Sequence, residues 1–130
     1  MALDPTSLPD EVLEFLRERH LATLSIVRPD GTPHVTPVGF TWDDEAQMAR
    51  VITWTGSKKA RLLLANPGPV AVSQVDGGRW LTVEGNATVA TDPESCREGT
   101  SRYAQRYREP KDRDDRAVIE IAVTRIMGRA

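Results

Sequence analysis

The sequence predicts a mainly β fold: six strands, mostly antiparallel, forming a small β-barrel with short helices. Three observations predict it. From Leu21 onward the apolar spacing changes from helical to a period of two, and six segments read as strands. Hairpin-length links dominate, and two carry clear turn chemistry, Arg28-Pro29-Asp30-Gly31 and Asp76-Gly77-Gly78. The element order is one helix, three strands, a helix, two strands, a helix and a last strand.

Each element has a local reason. Ser7-Leu8-Pro9-Asp10 opens the first helix: Ser7 is expected to cap it, Pro9 suits the first turn, and Asp10 and Glu11 complement the positive end of the dipole. Leu8, Val12, Leu13, Phe15 and Leu16 form its apolar stripe, and it is expected to end near His20. A strand over 21–28 enters the first turn, and a second strand covers 32–42. Pro33 and Pro37 lie within that second strand, so part of its backbone cannot donate to a ladder and faces an edge or a ligand. Asp43-Asp44-Glu45 is an acidic loop before a third strand over 48–55. A short helix over 57–66 is stopped by Asn66-Pro67-Gly68. Strands over 69–75 and 79–91 flank the second hairpin turn, with a bulge or bend expected at Gly85. Asp92-Pro93-Glu94 starts a helix that runs to about Tyr107, and a charged loop over 108–115 leads to the last strand, 116–126.

The chain of 130 residues is the size of one domain, expected to span 1–130. Apolar residues at 39% and charged residues at 28% fit a globular chain. The net charge of -2 excludes a strongly basic, non-specific nucleic-acid binder. The longest aliphatic run, residues 62–65, is far short of the roughly 20 residues of a membrane helix. No signal peptide is visible, and Cys96 is the only cysteine, so a reducing cytoplasm is the expected location. Two His and one Cys leave little for a zinc site. The whole-chain charge hides an asymmetry. Residues 1–45 carry nine acids and three bases, whereas residues 46–75 carry no acid and the four bases Arg50, Lys58, Lys59 and Arg61.

That acid-free stretch contains the sharpest local signal, Ile52-Thr53-Trp54-Thr55-Gly56-Ser57-Lys58-Lys59-Ala60-Arg61. A strand runs into a Gly-Ser turn and then a helix whose first turn is cationic. Cations are unfavourable at the positive end of a helix. Two readings answer this. An anion resolves the conflict, with free backbone N–H groups, the Ser57 hydroxyl and the ammonium groups of Lys58 and Lys59 converging on one phosphate. Alternatively the segment is a solvated basic helix face. It is not a P-loop, because Ser57 stands between the glycine and the lysine.

No G-x-G-x-x-G, G-x-S-x-G or H-E-x-x-H occurs. His20, at a helix end, is expected to cap carbonyls. His34 lies on a strand that borders a pocket, in a structural or substrate-contact role ahead of acid–base catalysis. Nothing near Cys96 lowers its pKa. Trp42, Trp54 and Trp80 read as core or interface, or as the border of a flat aromatic ligand. Arg102, Tyr103, Arg106, Tyr107 and Arg108 resemble a small nucleic-acid patch, but Asp112, Asp114 and Asp115 follow at once, so a self-neutralised face is expected.

The stretches ATLSIVRPDGTPHVTPVGFTWD and VITWTGSKKARLLLANPGPVAVSQVDGGRWLTVEGNATV resemble the first hairpin and the cofactor-binding core of the pyridoxamine 5'-phosphate oxidase-like split β-barrel family of flavin and deazaflavin proteins. SQVDGGRWL and RYAQRYR resemble its branch that uses coenzyme F420, and within it the biliverdin reductases. The resemblance implies the FMN-binding type of split barrel and a homodimer with cofactor clefts at the subunit interface. It implies that Ser57, Lys58 and Lys59 grip the cofactor phosphate, and that Ile52 and Thr53 pass under the ring system or phosphate. It also implies that Val35, Thr36, Pro37 and Val38 meet the ring edge, that Trp80 stands beside the ring and that Arg79 lies near the cleft. The family often has Ser-Arg-Lys where this chain has Ser57-Lys58-Lys59, and Lys holds phosphate as a point charge without a fork.

The function implied is hydride transfer from reduced F420 to a conjugated substrate such as biliverdin, with the proton supplied by solvent, Arg79, His34 or Tyr107. An FMN-binding oxidase or flavin reductase on the same fold is the alternative. A non-enzymatic cofactor carrier, touching an anionic polymer through 102–116, is a third reading. The partners expected are a second copy of the chain and a small-molecule substrate, with no nucleic acid and no membrane.

Overall fold

The computed structural model describes residues 2–130. Along the chain the elements are β1 (Ala2–Leu3), α1 (Asp10–Arg17), β2 (Ala22–Val27), β3 (Pro33–Val38), β4 (Phe40–Asp43), β5 (Met48–Trp54), α2 (Lys58–Ala65), β6 (Gly68–Asp76), β7 (Arg79–Ala90), α3 (Pro93–Arg106) and β8 (Arg116–Arg129). Among the described residues no helix is long and apolar enough to cross a membrane. The mainly β, antiparallel barrel-like fold with three short helices is as the sequence predicts, with eight strands in place of six. One addition is β1, which pairs with β8 as Ala2 with Met127. The other comes from residues 32–42, which form two strands divided at Gly39.

That division shapes the molecule. The main path of the sheet runs β3-β2-β6-β7-β8-β5-β4, with β1 beside β8, so the path ends on β3 and β4. Gly39 alone joins those edges, and the sheet must therefore curl until they meet. A Cβ at Gly39 would stand 3.0 Å from ring carbons of both Tyr103 and Tyr107, so any larger residue would have to push those rings back by a few tenths of an ångström. The prolines of β3 fall on an edge strand, where a missing N–H costs no ladder bond. Gly85 marks the bulge expected there: the β7–β8 register slips between Glu84 and Gly85.

Alternation supplies the core. Leu24 and Ile26 of β2, Val70 and Val72 of β6, Leu81 and Val83 of β7, and Ile119 and Ile121 of β8 are buried around Phe15 and Phe40. Gln74 is the polar member of this inward set, only 1% exposed. Helix α1 buries Val12, Phe15 and Leu16 against the core but lacks the expected Ser7 cap. The Ser7 N–H instead closes a turn onto the Asp4 carbonyl, and Pro9 occupies the cap position without a side-chain bond. The helix ends at Arg17, earlier than expected, with Glu18 as its C-cap. His20 does not cap carbonyls: its Nε2 pairs with Glu18 Oε1 at 3.0 Å, and its ring meets Phe15 edge-on. Helix α3 forms as expected, with Asp92 capping through Ser95 N–H and Pro93 in the first turn.

Candidate active site

The strand–turn–helix element forms as predicted from its residues. β5 ends at Trp54, and the Ser57 N–H closes the turn onto the Trp54 carbonyl at 3.0 Å. Ser57 caps α2, its Oγ accepting from Ala60 N–H at 3.2 Å and from the Thr53 hydroxyl at 2.8 Å. Both side chains are buried, and only the hydroxyl hydrogen of Ser57 remains to donate. Helix α2 has no acid in its first turn. Lys58 is exposed and Lys59 half-buried, and neither is within salt-bridge distance of a carboxylate among the described residues. Burial pulls the Lys59 pKa down. The cationic conflict at this helix start is therefore not resolved within the chain.

β3 faces the same region with two unsatisfied groups. The period of two turns Val35 and Pro37 outward, whereas His34 and Thr36 are half-buried and Val38 is buried. Among the described residues His34 Nδ1 and Thr36 Oγ1 are buried without a hydrogen-bond partner. Burial first, then the charges of Arg28, Lys58 and Lys59, lower the His34 pKa. Orphaned polar atoms of this kind are few in folded proteins and call for a ligand or an ordered water. Together with the unpaired lysines they fit an anionic, phosphorylated group.

A cavity of about 440 Å³ lies beside this element, between the ends of β3 and β5, the C-terminal end of α3 and residues 108–116. Pro37, Val38, Ile52, Thr53 and Lys59, all expected at the cofactor, line it. Ser57, Lys58, Val35, Thr36 and His34 flank this region in the chain without lining the cavity. Trp80 and Arg79 are not brought to it within one chain. Trp80 sits at the start of β7 opposite Val75 and Arg129. The Arg79 guanidinium is held by both oxygens of Glu18 at 2.8 and 2.9 Å and lies 4.4 Å from the Phe15 ring centroid. Tyr107 is likewise engaged elsewhere, because its hydroxyl donates to the His20 carbonyl at 2.7 Å and accepts from Phe40 N–H at 3.2 Å. Burial pushes its pKa up, so its proton is poorly available.

Trp54, one of the tryptophans read as core or interface or as the border of a flat ligand, lines the cavity with Tyr103. Arg108, Lys111, Arg113 and Arg116, which sequence reasoning did not assign to the cofactor site, complete it, with Glu109 the one acid in the lining among the described residues. Arg116 donates to the carbonyls of Thr53 and Lys111, and Asp115 O accepts from Thr55 N–H at 2.9 Å, which ties the loop to the end of β5. The expected self-neutralised face at 102–108 is corrected in detail. Arg102 pairs with Asp43 and Glu98, and Arg106 is buried on carbonyls. Of the three following acids only Asp115 pairs with a cation among the described residues, and its partner is Arg113. A second cavity of similar volume, between α1, β4 and α3, mixes Arg17 and Arg102 with Asp43, Asp44 and Glu45 and has no such cationic bias.

Residues 8–129 match the model of the pyridoxamine 5'-phosphate oxidase family. An F420H(2)-dependent biliverdin reductase of Mycobacterium tuberculosis (strain CDC 1551 / Oshkosh) is 49% identical over 125 residues, covering 96% of this chain and 90% of its own. A solved F420 reductase is 31% identical, with a TM-score of 0.73 over 92% of this chain and 98% of its own. A conserved hypothetical protein of Mycobacterium tuberculosis shares the fold at a TM-score of 0.79 and 22% identity, over 99% of this chain and 89% of its own. The chain belongs to the pyridoxamine 5'-phosphate oxidase family.

Proposed function

From this family membership we propose that the chain is an F420-dependent reductase of a conjugated, electrophilic substrate, biliverdin by analogy with the 49% identical relative. The observation that carries the reading is the unpaired Lys58–Lys59 pair at the start of α2, beside the orphaned His34 Nδ1 and Thr36 Oγ1. When bound, the reduced deazaflavin supplies a hydride equivalent, and the protein supplies placement and electrostatics.

The residues divide that work. Lys58, Lys59 and the Ser57 hydroxyl hydrogen hold the phosphate. Ile52 and Thr53 support the ring system, and the segment from Val35 to Val38 meets its edge. His34, its pKa below the usual imidazole value, is neutral near pH 7 and serves as a hydrogen-bonding partner, while the proton comes from solvent. Trp80 reaches the ring from a second subunit. The exposed apolar side chains Val27, Val35 and Val75 on β2, β3 and β6 support a homodimer built on that face.

Fluorescence titration of the pure protein with F420 tests the proposal, and no binding at micromolar levels would sink it. Lys59→Ala is expected to weaken F420 affinity by roughly 1–3 kcal/mol, the range for a lost charge-assisted bond, while the fold survives. The family match also favours a second reading, FMN as the cofactor, and a yellow protein that releases FMN on heating would decide for it.

A further inference from the structure

Resting on the proposed reductase reading, we infer that the loop between α3 and β8 is a substrate-recognition element, in which Arg108 and Lys111 bind carboxylates carried by the acceptor. Both line the cavity, both are exposed, and neither has a carboxylate within salt-bridge distance among the described residues. Their neighbours differ. Arg113 is bidentate to Asp115 at 2.8 and 3.0 Å, and Arg116 is held by two backbone carbonyls. The loop thus has two fixed cations that brace it and two uncommitted ones that face the cavity.

Trp54 supplies the floor. Its ring is flanked by Arg113 Cζ at 4.7 Å from the centroid and by Lys59 Nζ at 5.7 Å. The residue is 39% exposed and lines the cavity together with Tyr103 and the loop residues. A flat aromatic surface next to free cations suits a planar, conjugated acid: stacking takes the π system, and the cations take the carboxylates. Among the described residues the lining holds one acid, Glu109, against the five cations Lys59, Arg108, Lys111, Arg113 and Arg116, so the cavity as a whole favours an anion. The two cations are far in sequence from the Ser57-Lys58-Lys59 element, so phosphate and carboxylates are read by different parts of the chain.

The test uses the full-length protein, with biliverdin and its dimethyl ester as probes, and isothermal titration as the readout. The wild-type protein is expected to bind the diacid roughly tenfold more tightly than the diester, the effect of about one charge-assisted bond. An R108Q/K111Q variant is expected to lose that preference while binding the diester within about twofold of wild type. Both positions are exposed, so folding is expected to survive, and circular dichroism checks it. Equal binding of diacid and diester by the wild type, or equal losses for both in the variant, overturns the proposal. So does a variant that keeps the preference but loses affinity for F420 and not for a deazaflavin cofactor lacking the glutamyl tail, because the loop then reads the cofactor. A protein that discriminates diacid from diester yet binds no F420 supports the carboxylate site and refutes the reductase reading alone.

Discussion

The Arg106 guanidinium donates to the Gln74 side-chain oxygen at 2.8 Å, and the Gln74 amide donates in turn to the Phe15 carbonyl at 3.2 Å. Arg106 also donates to the carbonyls of Glu18 and Phe40 at 2.8 and 2.6 Å, and its Cζ lies 4.9 Å from the Phe40 ring centroid and 5.2 Å from that of Tyr107. It is a buried cation with no carboxylate, held by neutral acceptors from the end of α1, from β4 and from β6. Lysine cannot reproduce that planar fork. Arg106→Lys is therefore expected to destabilise the fold by about 2–3 kcal/mol, because buried acceptors lose their donors. Gln74→Leu removes one acceptor of Arg106 and the donor to the Phe15 carbonyl but leaves the two Arg106 bonds to Glu18 O and Phe40 O, and it should cost less. Urea denaturation of both variants measures the order, and an Arg106→Lys protein as stable as wild type would count against the network.

The neighbouring Tyr107 separates a structural from a catalytic role. With its hydroxyl committed to His20 O and Phe40 N–H, Tyr107→Phe should cost about 1–2 kcal/mol of stability and leave turnover within about twofold. Burial raises its pKa above the ordinary value of 10.0. The unfolded chain therefore ionises first, so the contribution is full below that pH and falls as pH rises through and beyond it. Removing the hydroxyl should flatten the alkaline limb of the stability profile. A large fall in turnover with unchanged stability would restore Tyr107 as a proton donor.

Much of this arrangement was legible in local sequence. β2, β5, β6 and β7 were visible because each buries alternate residues, and the sequence alternation records it. The start of α2 was visible because cations at a helix N-terminus conflict with the dipole, and a local conflict needs no fold to detect. What stayed hidden depends on distant partners. Nothing in Val38-Gly39-Phe40 announces a corner, because the rings of Tyr103 and Tyr107 that crowd the glycine come from α3 and its C-cap. Arg102 to Arg108 looked self-neutralised because Asp112, Asp114 and Asp115 follow at once along the chain. Only the fold pairs Asp115 with Arg113 and leaves Arg108 and Lys111 facing the cavity. Ser7 looked like a cap because residue type does not reveal that the helix starts only at Asp10, which leaves Ser7 two residues before the cap position held by Pro9.

Ser57 has two roles that substitution can divide. Ser57→Ala removes the α2 cap, worth about 1 kcal/mol, and leaves the buried Thr53 hydroxyl without its acceptor. Ser57→Asp keeps an acceptor for Ala60 N–H and for Thr53 but adds a negative charge where the phosphate is expected. The Asp variant should therefore be the more stable of the two and bind F420 at least about tenfold more weakly than wild type, through loss of a donor and added repulsion. Thermal denaturation and fluorescence titration read the two effects separately. F420 affinity unchanged in Ser57→Asp would move the phosphate away from this helix start.

Glu18 and Arg79 predict how the fold responds to acid. The two hydrogen bonds from Arg79, then the one from His20, hold the Glu18 carboxyl down at about 2, against an ordinary value of 4.5. The folded carboxyl thus stays ionised after its unfolded counterpart has taken a proton. The resulting stability is present above pH 4.5 and is lost as pH falls from there toward about 2. Glu18→Gln removes the titrating group, so its urea midpoint should fall less steeply over that window than the wild-type midpoint does. Arg79→Ala should flatten the same limb, because the carboxyl then returns toward its ordinary value. The pair is partly open to solvent, with side chains 35% and 34% exposed, so molar salt should shrink the difference. Parallel wild-type and Glu18→Gln acid limbs would show that the carboxyl is not held down in the folded state. A turnover loss in Arg79→Ala without the change in acid limb would return Arg79 to the groups that meet the substrate.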